Sequence, residues 1–330
     1  MKRSRIAAAA VVLALSSAGL AGCADEVPEV PEPVEQPTAV ESPNLDSEQV
    51  GTVLEDVMKV VKEGDEAKDS ELLAPRVKDP ALTLRAGYYQ LAKVKEKEVP
   101  EFVLDEDSAT VTNTDEWPRA IVVPTIEDEG ELPKLAFITQ DSARDDYKLE
   151  SWVRMYPGKS VQTVEVSEGS RVVPNDSTDY LLSPTDALAA WAGRLDGEGE
   201  NADLIAEDEF TKSYQAERDK LDEASGESGE VTFKASPAES PITAVQLVDG
   251  KALVSGHITY TVTHKRTDER ANYTIGGYAG ELMEDPMVGD QPVEITYLVS
   301  VALVVPEQVS GALIEPVGAE RVIRSIKRIE

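Results

Sequence analysis

The two histidines invite the first chemical question, because His257 and His264 lie seven residues apart in one run, "GHITYTVTHK". The run is rich in β-branched residues and reads as a strand. An odd spacing in a continuous strand sends the two imidazoles to opposite faces, so they do not share a metal ion unless a bulge intervenes. Ile258, Tyr260, Val262 and His264 make the more apolar face, expected to turn towards helices, while His257 travels with Thr259, Thr261 and Thr263. His264 is therefore the candidate base at a pocket rim. The alternative is a solvated strand-end histidine beside Lys265 and Arg266.

Other reactive patterns fail on spacing. No GxSxG occurs, and "GESG" at 226 to 229 follows no strand, so it reads as a turn. "TIGGYAGEL" at 274 to 282 has neither a GxGxxG spacing nor a following helix and reads as a twisted strand or bulge. Acidic runs such as "DED" at 105 to 107 and "EDEGE" at 127 to 131 lack the DxDxDG spacing of a calcium loop and read as solvated surface. These patterns assign no catalytic residue, no metal site and no cofactor.

The one cysteine, Cys23, has a clearer context. Lys2, Arg3 and Arg5 precede an apolar stretch from Ile6 to Ala14, and small residues lead to "LAGC" at 20 to 23. That layout is a secretory signal peptide over residues 1–22, too short and alanine-rich for a span of about 20 apolar residues. "LAGC" resembles the lipobox of bacterial lipoproteins. The resemblance implies that the Cys23 thiol carries diacylglycerol and becomes the new N-terminus, with the membrane as a partner and the extracytoplasmic face as the location. A free thiol in an exported chain is exposed to oxidation, whereas a thioether is inert, which agrees with the lack of a second cysteine.

Residues 23–44 hold the anchor cysteine and "ADEVPEVPEPVEQPTAVESPN", proline-rich and acidic with no Lys or Arg. Such a stretch builds no core and is expected to extend as a tether, at about 3.1 Å per residue. The whole chain carries 63 acids against 32 bases, a net charge of −31. A polyanion of this kind repels nucleic acid, which needs Lys/Arg patches, so no nucleic-acid partner is expected.

The elements that must position any site appear twice in the same order. In the first half Asp46, with Gln49 three residues on, caps a helix carrying Val50, Val53, Leu54, Val57, Val60 and Val61, closed by Gly64. Asp79 and Pro80 open a second helix with Ala81, Leu84, Tyr88, Leu91 and Ala92. "WPRAIVVPTI", "PKLAFITQ" and "YKLESWVRMYP" follow as strands. In the second half Ser183 and Pro184 open a helix with Ala187, Leu188, Trp191 and Leu195, and Phe210, Tyr214 and Leu221 mark another. "ITAVQLVDGKALVSGHITYTVTHK" is a hairpin around its "DG". "ANYTIGGYAGELM", "VEITYLVSVALVVP" and "ERVIRSIKRIE" are expected to complete a second sheet.

Helices followed by antiparallel strands, twice, give an α+β class with two domains, residues 45–157 and 181–330, joined by a linker over residues 158–180. This element order, with phrases such as "YKLESWVRMYPG" and "VSVALVVP", resembles the tandem nuclear transport factor 2-like domains of actinobacterial lipoproteins. The resemblance implies helices plugging a curved sheet to form a cone. It leaves function open among enzymes, binding modules and assembly domains. SnoaL-like isomerases and cyclases resemble the same fold and often use a His/Asp pair, which keeps His264 as a candidate base.

The expected function is a lipid-anchored, non-catalytic binding or assembly module of the cell envelope, its partner an envelope protein or a small hydrophobic ligand. The alternative is a carrier of a lipid or small molecule in a cone-shaped pocket of the second domain. Parity and helical phase turn Trp191, Tyr214, Tyr260 and Tyr297 inward with His264, as pocket lining or simply as core.

Overall fold

A computed structural model describes residues 42–127, 130–270 and 273–330. Cys23 and nearly all of the expected signal peptide and tether lie outside the described residues. The fold is α+β, with few helices and one large antiparallel sheet.

Helix α1, Ser47–Ala67, starts with a complete capping box: the Asp46 carboxylate accepts from the Gln49 backbone N–H, and the Gln49 side chain accepts from the Asp46 N–H. Its apolar stripe buries Val50, Leu54, Val57 and Val61. Gly64 does not end this helix, contrary to the sequence expectation. The helix runs on to a left-handed cap at Lys68, and a Cβ on Gly64 would stand 2.5 Å from Leu73 Cδ2 and 2.8 Å from Tyr89 Oη. This glycine therefore serves close approach, not termination. Helix α2, Ala81–Lys95, follows.

The first-half strands are β1 Val103–Leu104, β2 Thr110–Val111, β3 Arg119–Ile126, β4 Lys134–Gln140 and β5 Lys148–Met155. Helices α3, Pro184–Asp196, and α4, Glu209–Ser225, open the second half, capped by Ser183 and Asp208. Strands β6 Gly229–Pro237, β7 Thr243–Gln246 and β8 Ala252–Arg266 come next, with the expected hairpin turning at Asp249 and Gly250, whose φ is 84°. Strand β6 has no counterpart in the sequence expectation. The region expected as a strand in "ANYTIGGYAGELM" instead contains a short helix, α5 Gly277–Glu281. Gly277 adopts φ 64°, a turn conformation that a strand does not accommodate. Strands β9 Val293–Val305 and β10 Glu315–Arg328 end the fold, the latter a strand as expected.

Every pairing between these strands is antiparallel, in the order β1-β3-β4-β5-β10-β9-β8-β6, with β2 on β3 and β7 on β8. The two halves thus meet in one sheet, within one compact unit from Glu41 to Glu330. The seam between β5 and β10 is short: Met155 pairs with Gly318 and Arg154 with Ala319. A Cβ on Gly318 would lie 2.6 Å from the Arg154 carbonyl oxygen, so only glycine lets the strands approach this closely.

Helices α1 and α2 cover a core that includes Trp152 and reaches Leu298 and Val322 of the second half. Helices α3 and α4 cover another, containing Trp191, Tyr214 and Tyr260. A third draws Phe137, Val153 and Met155 together with Leu253, Ala302 and Val317. The stretch expected as a linker lies across both halves. The Ser170 N–H donates to the Val111 carbonyl, and the Val173 N–H donates to the Ala244 carbonyl.

Buried polar contacts cross the halves as well. Glu150 accepts from Thr139 and Thr243 hydroxyls, each at 3.0 Å, and pairs with Lys78 Nζ at 2.9 Å. His257 Nε2 lies 2.9 Å from Ser151 Oγ, which donates to Ser300 Oγ at 3.3 Å.

Candidate functional site

Among the described residues, no strand pairs with the β5-facing side of β10 beyond Ala319. Helix α2 approaches there through Gly87, where a Cβ would stand 2.6 Å from Val322 Cβ. Along this open edge lies a cavity of about 1070 Å³. Successive residues Glu320 to Ile323 all line it, both parities together, as the edge of a strand allows.

Helix α4 contributes Glu217, Lys220, Leu221, Ala224 and Ser225, a single stripe at spacings of three and four. Helix α2 contributes Tyr88, Leu91, Ala92 and Lys95 by the same periodicity. Val262 and His264 of β8 and Ile295 and Tyr297 of β9 add further lining, and residues 273–279 form another wall. The cavity expected inside the second half therefore takes α2 and Arg154 from the first.

Two charged clusters stand among these apolar walls. Tyr88 donates to Glu320 Oε2 at 2.8 Å, and Arg154 reaches both, at 3.1 Å to the Tyr88 hydroxyl and 3.4 Å to the carboxylate. Arg321 donates to Glu217 at 2.7 Å and to the Tyr260 hydroxyl at 2.6 Å, with its guanidinium carbon 5.5 Å from the centre of the Tyr297 ring. Burial raises the Tyr297 hydroxyl to about 12, helped by Glu217 and opposed by Arg321, so it stays protonated at neutral pH.

The expected pocket residues divide between core and cavity. Trp191 is buried against Phe210 and donates its indole N–H to Asp208 at 3.2 Å. Tyr214 is buried too and donates to Asp196 at 2.8 Å. Tyr260 is buried between Tyr214 and Tyr297, and only its hydroxyl is tied to the cavity, through Arg321. Tyr297 and His264 line the cavity itself.

His264 Nδ1 lies 2.7 Å from the Tyr273 hydroxyl, and burial lowers its pKa to about 4. Its hydrogen-bond partner is a phenol rather than a carboxylate, so the His/Asp arrangement of an acid–base pair is not built here. Among the described residues no group of three or more His, Cys, Asp or Glu side chains is placed to hold a metal ion.

Tyr88, Arg154, Glu217, Glu320 and Arg321 were not singled out as site residues from the sequence. Charged residues inside strands, such as "ER" at 320 and 321, were the available signal. The class that fold and site define is an α+β protein with a half-apolar, charge-lined cavity at the edge of its sheet. No family model, curated protein or solved structure matches the chain.

Proposed function

We propose that this chain is a lipid-anchored, extracytoplasmic binding protein that holds a small amphipathic molecule without transforming it. The cavity carries the reading. Its volume, about 1070 Å³, suits a drug-to-lipid-sized ligand, and its wall mixes aliphatic and tyrosine surfaces with a few oriented charges. The anchor reading rests on Lys2, Arg3 and Arg5, the apolar run and "LAGC" at 20 to 23. Among the described residues no helix is long and apolar enough to cross a membrane. We read the two halves as nuclear transport factor 2-like units whose sheets have joined, on the support of helices preceding antiparallel strands in each.

Native mass spectrometry of the chain prepared from its own membranes tests the binding. The expected result is a non-covalent adduct that disappears in Ala92→Trp, which fills the cavity from α2. A chain free of adduct, or an adduct that Ala92→Trp retains, contradicts the reading.

A further inference from the structure

The charge of the cavity runs against the charge of the chain. Acids outnumber bases 63 to 32 overall, and the surface field is correspondingly negative. The cavity lining nevertheless holds five bases, Lys95, Lys97, Arg154, Lys220 and Arg321. Its acids are three, Glu98, Glu217 and Glu320. The two arginines are neutralised where they stand, Arg154 by Glu320 and Arg321 by Glu217. Lys95 meets Glu281 of α5. Lys97 and Lys220 have no ion pair among the described residues, and both are exposed at the cavity rim.

We propose that the cavity selects an anionic amphiphile, its acidic end held by Lys97 and Lys220 and its apolar chain lying against Leu221, Val262, Ile295 and Ile323. This rests on the binding reading above. An anion is repelled by most of this surface, so lysine ammonium groups without an ion pair among the described residues mark the part of the cavity lining where it is accepted. The interior arginines add no net positive charge for the headgroup, because each already faces a carboxylate, Arg154 that of Glu320 and Arg321 that of Glu217. A cationic amphiphile meets, among the lining acids, only Glu98 without an ion pair among the described residues, against these two lysines. The anionic end can be a carboxylate or a phosphate, since either accepts from lysine.

Displacement of the neutral apolar fluorophore N-phenyl-1-naphthylamine from the full chain tests the selection. The competitors share a twelve-carbon tail: laurate, dodecyl phosphate, dodecanol and dodecyltrimethylammonium, each used below its micellar concentration. One or both anions should displace the fluorophore at a concentration at least about tenfold below that of dodecanol. The better of the two assigns the headgroup. Lys97→Glu with Lys220→Glu, exposed positions outside every ion pair described, should abolish this advantage and leave dodecanol unchanged.

Equal displacement by dodecanol, stronger displacement by the cation, or an undiminished anion preference in the double variant overturns the selection while leaving a binding cavity in place. Failure of the fluorophore to bind, or equal binding by Ala92→Trp, removes the cavity reading and this inference with it.

Discussion

Tyr260 and Tyr297 are direct cross-strand partners on β8 and β9, with ring centres 4.5 Å apart and planes within 10° of parallel. One ring faces the buried core, the other the cavity. Tyr260→Ala should cost about 3 to 5 kcal/mol of stability, as for other buried aromatic truncations. Tyr297→Ala, at a half-buried position, should cost less and weaken ligand capture instead. Urea denaturation beside a binding titration separates the two, and equal stability losses would show that Tyr297 is core like its neighbour.

The short seam at Gly318 makes a second prediction. Replacing this glycine with Val puts side-chain atoms where the Arg154 carbonyl stands, so β5 and β10 must part. Overpacking of this kind typically costs about 1 to 3 kcal/mol. The core uniting Met155 and Phe137 with Ala302 and Val317 couples the halves, so they should unfold together. Single-tryptophan reporters retaining Trp152 or Trp191 should give coincident urea transitions in the parent background. Two separated midpoints would show independent halves.

Burial holds the pKa of His257 down to about 4, opposed in part by the Pro241 backbone. A histidine depressed below its unfolded value of about 6.5 favours the fold at neutral pH, and this stability is withdrawn as pH falls from about 6.5 towards and through 4. The full effect is about 3 kcal/mol. The difference in unfolding free energy between the parent and His257→Gln should therefore shift against the parent over that interval. A pH-independent difference would contradict a neutral, buried His257.

Anchoring at Cys23 predicts that Cys23→Ser no longer fractionates with membranes, or does so only in part. A variant that partitions as the parent does would remove the lipid anchor from the account.

Local chemistry made much of the architecture legible. Asp46 with Gln49, Ser183 with Pro184, and Asp249 with Gly250 each announce an element boundary that the fold contains. Strand β6 is missed in the sequence, because its alternation of Val231, Phe233 and Ala235 is set among exposed polar residues. The seam and the cavity depend on contacts between distant residues. Gly64, Gly87 and Gly318 read as a stop or as nothing in one dimension, yet each marks an approach closer than a side chain permits. Tyr88 and Glu320 stand 232 residues apart in sequence, and no local pattern pairs them. Strand parity groups Tyr260 with His264 on one face of β8, but it does not tell core, where Tyr260 is buried, from cavity wall, where His264 and Tyr297 stand.

The central claim is an open cavity that binds an apolar body, and a titration of the full chain with N-phenyl-1-naphthylamine tests it most directly. The account predicts saturable fluorescence enhancement with one site per chain, lost in Ala92→Trp while that variant keeps a cooperative unfolding transition. No enhancement in the parent, or the same enhancement in a folded Ala92→Trp, would contradict it.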